Sequence, residues 1–385
     1  MKQKRAYKYR AYPTTEQASI LARTFGCARY VYNWALRLRT DAYYQRHKRV
    51  YYADTSSALT QLKQQQSHQW LNEVSSVPPQ QALRHLDKAF RNFFAGRAAY
   101  PTFKKKHGAQ AAEYTASAFN WDGTSLTLAK MTDPLDIRWS RPLPKDAQPT
   151  TVTVTLDTAG RYFVSILVAE EIKPLPDVTQ EVGLDLGLKS MVILSTGETA
   201  GNPKFFAQDE QKLARAQRHL AKKQRGSKNR TKARRKVARI HARIADRRRD
   251  YQHKLSTRII RENQTVCLES LQVKNMVKNH RLAKAISDVG WGEFVRQLEY
   301  KAAWYRRTLV KIDKFYPSSK RCFDCGHILD TLSLDVRAWT CPACGVFHDR
   351  DLNAARNILA AGQAVTAFGE MVRPGRAKAC TGASR

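Results

Sequence analysis

Asp185 falls inside the apolar run Val182-Gly183-Leu184-Asp185-Leu186-Gly187, Glu269 closes the run Thr265-Val266-Cys267-Leu268, and Asp351 stands where a late helix is expected to begin. Singly, each acid has a plain structural role: a turn residue at a strand end, a solvated side chain closing a strand, a helix N-cap. Together they offer another. In an RNase H-like sheet two such strand ends and a helix start converge at one edge, where carboxylates can hold two divalent ions. Those ions activate a water, align it with a phosphorus atom and stabilise the leaving oxygen. Oxygen ligands suit Mg²⁺, with Mn²⁺ as its substitute. Gly183 and Gly187 lack side chains and are expected to let a phosphodiester come close to Asp185.

A second set of residues has metal-ligand spacing. Cys322-x-x-Cys325, a 15-residue spacer and Cys341-x-x-Cys344 match a four-thiolate zinc ribbon, and a glycine follows each pair, at 326 and 345. Two residues between thiolates let one tight turn offer both sulfurs to a tetrahedral ion, and glycine supplies the positive φ such turns often need. With four ligands the Zn²⁺ is structural. His327 and His348 lie nearby without being needed, and Cys27, Cys267 and Cys380 are bystanders.

The elements that must position these residues follow from periodicity and punctuation. Residues 3–11 alternate as a strand, and Pro13-Thr14-Thr15-Glu16 opens a helix through Leu36. A second helix is expected from Thr55 to Gln66. A third starts at Pro78-Pro79, with Leu83, Leu86, Phe90 and Phe93 as a core-facing stripe. Short strands follow from Tyr100, ending in a hairpin of Val152, Val154 and Leu156, a turn at Thr158-Ala159-Gly160, and a return strand from Tyr162 to Val168. Lys173-Pro-Leu-Pro-Asp177 reads as a linker. Beyond it come a strand, a turn and a second strand around Asp185 and Met191–Leu194. Lys212–Arg249 reads as two basic helices broken at Gly226–Asn229, with 17 Lys or Arg against the single acid Asp246. The strand ending in Glu269 precedes a helix carrying Trp291, Phe294, Leu298, Ala302 and Tyr305, then a strand at 309–312.

Across 385 residues, 67 Lys and Arg face 33 Asp and Glu, a formal charge of +34 that would repel itself without an anionic partner. With 16 Tyr, 14 Phe and 7 Trp available for stacking, that partner is expected to be nucleic acid. There is no run of 18 apolar residues, and Met1-Lys-Gln-Lys-Arg does not lead into a secretory segment, so a cytoplasmic, nucleoid-associated protein without membrane contact is expected.

Three stretches carry a family resemblance: Gly183-Leu-Asp185-Leu-Gly187, Tyr316-Pro-Ser-Ser-Lys-Arg-Cys322, and His348-Asp-Arg-Asp351-Leu-Asn353-Ala-Ala-Arg-Asn357-Ile, with Ser287-Asp-Val-Gly-Trp291-Gly-Glu-Phe294 as a fourth. The chain resembles TnpB, the insertion-sequence-encoded relative of type V CRISPR effectors, from its first strand to Asn357. The resemblance implies an α/β multidomain protein with a RuvC-like nuclease domain (179–316 and 348–368) interrupted by a zinc ribbon (317–347). A β-barrel wedge domain (1–10 and 96–178) with a helical recognition insertion (11–95) would precede it, and a flexible tail (369–385) would follow. It implies a monomer that binds a transposon-derived guide RNA, recognises a short motif beside its double-stranded DNA target, and cuts both strands at one site. It maps the catalytic acids onto Asp185, Glu269 and Asp351, choosing Asp351 over Asp349. It places motif reading near Tyr52, Ser56 and Gln80, although Val77-Pro78-Pro79 departs from the Lys- and Phe-bearing stretch of relatives. Arg234, Arg235, Arg239 and Arg243 become candidate contacts to guide–target phosphates.

Overall fold

A computed structural model describes residues 2–333 and 335–367. The tail at 369–385, with Cys380, lies outside the described residues. The chain divides into two compact units, one of Lys2–Glu171 with Arg234–Arg239, the other of Ile172–Ala233 with the described residues from Ile240 onward.

The first unit opens with β1 (Lys2–Ala11) and α1 (Thr15–Arg46). Thr14 and Gln17 form a capping box at the start of α1, and His47 ends it in the left-handed conformation. The helix runs ten residues past the expected Leu36, and no glycine or proline stands between Leu36 and Arg46 to stop it. Next come α2 (Tyr52–Gln64), a 3-10 turn and α3 (Val77–Phe94), whose first turn takes Pro78 and Pro79 without losing a needed N–H. Leu83, Leu86 and Phe90 are buried as the stripe predicts, while Phe93 is half-buried. Six strands follow: β2 (Gln110–Thr115), β3 (Phe119–Trp121), β4 (Leu126–Leu128), β5 (Ile137–Arg138), β6 (Pro149–Leu156) and β7 (Tyr162–Glu171). The expected hairpin is β6–β7, with Gly160 at φ +82° in its turn. The main sheet has the order β2-β6-β7-β1-β5, all antiparallel, so β1 is paired along its full length with a strand far away in sequence. Among the described residues β2 and β5 are the edges of this sheet, which does not close into a ring.

The second unit begins with β8 (Glu181–Asp185), β9 (Ser190–Leu194) and β10 (Thr199–Gly201). Two helices follow, α4 (Phe205–Ala221) and α5 (Lys228–Glu262), separated where Gly226 takes φ +84°. Then come β11 (Thr265–Glu269), α6 (Val273–Met276), α7 (Ala283–Val289), α8 (Trp291–Tyr305) and β12 (Thr308–Ile312), followed by the ribbon strands β13 (Ala338–Thr340) and β14 (Phe347–Asp349) and by α9 (Arg350–Ala367). The sheet order is β10-β9-β8-β11-β12, with β8, β9 and β10 antiparallel to one another and β11 parallel to both β8 and β12. Two faces follow from the period-2 alternation of strands. Val182, Leu184, Val266 and Leu268 point into a core with Leu255, Ile259 and Ile260 of α5 and Trp291, Phe294 and Leu298 of α8. Gly183 and Cys267 point the other way, into the path of α9.

α9 rests on that second face with no side chain between the backbones. A Cβ added at Gly183 would lie 2.1 Å from the Ala355 carbonyl oxygen and 2.7 Å from the Leu359 nitrogen. One turn after Leu359's neighbours, a Cβ at Gly362 would lie 2.2 Å from Cys267 Sγ. The expectation that Gly183 makes room for a phosphodiester is therefore corrected: it makes room for a helix. Gly187 likewise serves the turn into β9, where a Cβ would meet the Ser190 carbonyl oxygen at 2.9 Å.

Overpacking a core costs about 1–3 kcal/mol where side chains can yield, and at Gly183 the obstacle is backbone. Gly183→Ala is expected to lose about 3 kcal/mol in chemical denaturation, whereas Gly201→Ala, with open space at its Cβ, changes little. A Gly183→Ala protein as stable as wild type would show that α9 does not bear on β8.

Candidate active site and zinc ribbon

Asp185 is the last residue of β8 and Glu269 the last of β11. Leu184 pairs with Leu268 in parallel register, so both acids leave neighbouring strands at one end, roughly 4.8 Å apart across the sheet. Alternation puts Asp185 on the face of Gly183 and Glu269 on the face of Cys267, the face that α9 covers. Asp351 lies in the first turn of α9. Capping of that helix falls to Asp349, whose Oδ1 accepts from the backbone N–H of Asp351 at 3.0 Å and of Leu352 at 2.9 Å. The Asp351 carboxylate is thus released from the N-cap role that its position also allowed.

The three acids feel one another. Burial, then the charges of Glu269 and Asp351, push the Asp185 carboxyl up to about 7, against the opposing pull of Arg350 and the Leu186 N–H. A set of oxygens that cannot keep all its charges unaided is the donor chemistry a hard divalent cation completes, so these residues fit Mg²⁺ or Mn²⁺. Among the described residues, sets of three or more ligand atoms all within 4.8 Å of one another occur only at the ribbon. The three carboxylates therefore do not all lie within 4.8 Å of one another.

Side chains to which the sequence assigned no role complete the surroundings. Ser318 Oγ donates to Glu269 Oε1 at 2.5 Å, and Arg337 Nη1 lies 3.5 Å from Asp351 Oδ1. Asn353 and Asn357, both buried on α9, donate to the carbonyl oxygens of Ser318 and Arg321. Their i, i+4 spacing just after Asp351 was the available signal, since two amides on an otherwise apolar helix face need buried partners.

The four cysteines converge as their spacing predicts. Their sulfurs all lie within 4.8 Å, with Cys322–Cys344 and Cys325–Cys341 each 3.6 Å apart. A tetrahedron of Zn–S bonds near 2.3 Å has edges of about 3.8 Å, so the set fits zinc. The two turns are built alike: Gly326 N–H donates to the Cys322 carbonyl and Gly345 N–H to the Cys341 carbonyl, with φ of +79° and +75°. His348, buried against Trp339, sits 3.0 Å from Cys322 Sγ, where an imidazole N–H can support thiolate charge.

Of the candidate nucleic-acid residues, Arg234, Arg235, Arg239 and Arg243 are exposed on α5, the last three at i, i+4, i+8. Not all of the basic segment is free. Arg247 pairs with Asp209 and Arg248 with Asp288 at 2.9 Å, fastening α5 to α4 and α7. Tyr52 and Ser56 lie one turn apart on α2, and Gln80 is exposed in the first turn of α3. Arg84, one turn beyond Gln80, donates to Tyr52 Oη at 3.3 Å and so draws these residues to one surface.

Comparison with known proteins places this geometry. The OrfB_IS605 family profile, described as "Probable transposase", matches residues 163–280, a "Cas12f1-like, TNB domain" matches 291–358, and a "Helix-turn-helix domain" matches 1–48, a segment that here holds β1 and the single helix α1. A protein of Streptomyces pristinaespiralis named "Putative RNA-guided DNA endonuclease" is 58% identical over 99% of this chain and 95% of its own length. InsQ of Escherichia coli K12, named in the same way, is 34% identical over 98% and 96%. A cryo-EM structure of a Cas12f1–sgRNA–target DNA complex shares the fold, with a TM-score of 0.56 over 90% of this chain and 83% of that one at 15% identity. The chain belongs to the OrfB/TnpB family. Among the described residues no helix is long and apolar enough to cross a membrane.

Two outcomes are expected. Without added divalent cation, an Asp185 carboxyl at about 7 when folded, against 3.8 when unfolded, binds more protons in the folded state. Its contribution to stability is full below about pH 4 and is lost as pH rises through about 7, so Asp185→Asn should be stabilised relative to wild type at about pH 7.5 more than at pH 5 in denaturant melts. An equal effect at both would contradict the repulsion. At the ribbon, a Cys341→Ser, Cys344→Ser double variant should carry no zinc by elemental analysis, and retention of a full equivalent would rule out the four-thiolate site.

Proposed function

We propose that the chain is an RNA-guided endonuclease that cuts double-stranded DNA at one RuvC-type centre formed by Asp185, Glu269 and Asp351. The observation that carries this reading is that Asp185 and Glu269 end two paired parallel strands on the face that α9 covers, with Asp351 in the first turn of α9. The strand order β10-β9-β8-β11-β12, an antiparallel hairpin set beside parallel strands, supports an RNase H-like sheet. The names of the relatives support RNA guidance and DNA as the substrate.

In this reading the three carboxylates hold Mg²⁺ or Mn²⁺, which when bound would activate the attacking water and offset charge on the leaving oxygen. The rest falls to the chain itself. β8 and β11 orient two acids in register, α9 brings the third and excludes water from their rear, and Arg337 stands beside Asp351 as a cation at the site. Arg234, Arg235, Arg239 and Arg243 on α5 meet phosphates of a guide–target duplex, which fix position rather than sequence. Tyr52, Ser56 and Gln80 face base edges of the motif beside the target. The domain scheme follows the same reading: 1–10 and 96–178 as wedge, 11–95 as recognition module, 179–316 and 348–368 as nuclease, and 317–347 as zinc ribbon. The working particle is one chain with a transposon-derived guide RNA, in the cytoplasm.

The test is linearisation of a guide-matched plasmid by the protein–RNA complex. Cutting should require Mg²⁺ and the RNA, and Asp185→Ala should lower its rate by about a hundredfold or more while target binding stays within about twofold. Cutting of the same plasmid without RNA would overturn guidance, and a normal rate in Asp185→Ala would overturn the centre.

A further inference from the structure

Ser318 sits between β12 and the first zinc-binding turn and is only 6% exposed. Its hydroxyl makes one contact that the fold does not require, the hydrogen bond to Glu269 Oε1. Its backbone is held independently of that contact. The Ser318 N–H donates to the Tyr316 carbonyl at 2.8 Å, and its own carbonyl accepts from Asn357 Nδ2 at 2.9 Å and Asn353 Nδ2 at 3.4 Å. The same two amides donate to the Arg321 carbonyl, at 2.8 Å from Asn353 and 2.6 Å from Asn357, and Asn353 Oδ1 accepts from the Phe323 N–H at 3.0 Å. Cys322, a zinc ligand in the reading above, lies between those two clamped residues. A continuous set of hydrogen bonds therefore runs from the zinc turn and α9 to one carboxylate of the acid cluster.

We propose that Ser318 is a positioning residue for Glu269, coupling the zinc ribbon and α9 to the orientation of that carboxylate for divalent cation; this rests on the acid-centre reading above. Glu269 ends its strand on a long side chain with several rotamers, and its neighbours Asp185 and Asp351 repel it. Left alone, such a carboxylate turns toward water. A donor fixed at both of its backbone groups holds one oxygen of Glu269 inside the cluster and sets the plane of the other. Ser318 passes no proton and touches no reacting atom in this scheme.

The expected result is a loss of cation affinity without a loss of fold. Ser318→Ala should raise the Mg²⁺ concentration for half-maximal cleavage by the protein–RNA complex about tenfold, the scale of one hydrogen bond to a charged group. Binding of Mn²⁺ by the full chain, followed from the free-ion electron paramagnetic resonance signal, should weaken by a similar factor. Zinc content and target binding should stay at wild-type levels, and saturating Mg²⁺ should restore the rate. Ser318→Thr, which keeps the hydroxyl, should behave as wild type, and Ser318→Val, of the same shape without the donor, should behave as Ser318→Ala. In a Glu269→Gln background, Ser318→Ala should change Mn²⁺ binding no further. Unchanged Mg²⁺ and Mn²⁺ dependence in Ser318→Ala, beside an inactive Asp185→Ala control, would overturn the proposal and leave the centre standing. Lost zinc, or a defect that Thr does not repair, would assign Ser318 to the fold and overturn it equally. Normal cutting by Asp185→Ala would remove the centre and this role together.

Discussion

Where α9 crosses β8 the two backbones approach with nothing but hydrogen at residue 183 between them, and the position of every acid follows from that contact. A helix held off by an ordinary side chain would move Asp351, in its first turn, away from β8. Gly183 permits the approach at β8 and Gly362 repeats it at β11, so α9 spans both of the strands that end in an acid. Because strands alternate, the residue two beyond each contact on the same face is the acid itself. Packing thus selects the face, and alternation delivers the side chain to it.

This arrangement works against its own electrostatics. Like charges gathered at a strand end cost stability that must be met elsewhere, a common condition of functional sites. The opposite face of the sheet supplies it through a continuous apolar core with α5 and α8. Basic side chains contribute in a different way. Arg247 and Arg248 are committed to Asp209 and Asp288, so part of the positive charge of α5 maintains the unit's own helices while the stripe from Arg235 to Arg243 remains outward. The ribbon, too small to bury much of its own, relies on thiolate geometry and on the amides of α9.

Much of this is legible in the sequence. The cysteine turns were readable because metal geometry dictates ligand spacing over short stretches, and the hairpin of β6 and β7 and the break near Gly226 because local backbone chemistry marks them. The acids were readable as a set only through the sheet they imply. What escaped was whatever depends on contacts between distant segments. The role of Gly183 is hidden because a glycine that admits a helix and one that admits a substrate look the same in sequence. The separation of labour between Asp349 and Asp351 was chosen by resemblance, and only the two N–H groups on Asp349 explain it. Ser318 and Arg337 gave no periodic signal, since each acts across a fold from within an irregular segment. The pairing of β1 with β7 joins residues that no local pattern connects.

The order of segments along the chain has a consequence for synthesis. β8 and β11 leave the ribosome well before α9, and between them and α9 comes the segment that carries the four clustered cysteines. Until α9 emerges, two strand-end acids stand uncovered, the third is absent, and the sheet lacks one of its faces. A chain ending in the ribbon would therefore lack both the third acid and the helix that covers the other two. Assembly of the three acids is deferred to a late, long-range docking event, the slow kind in folding terms.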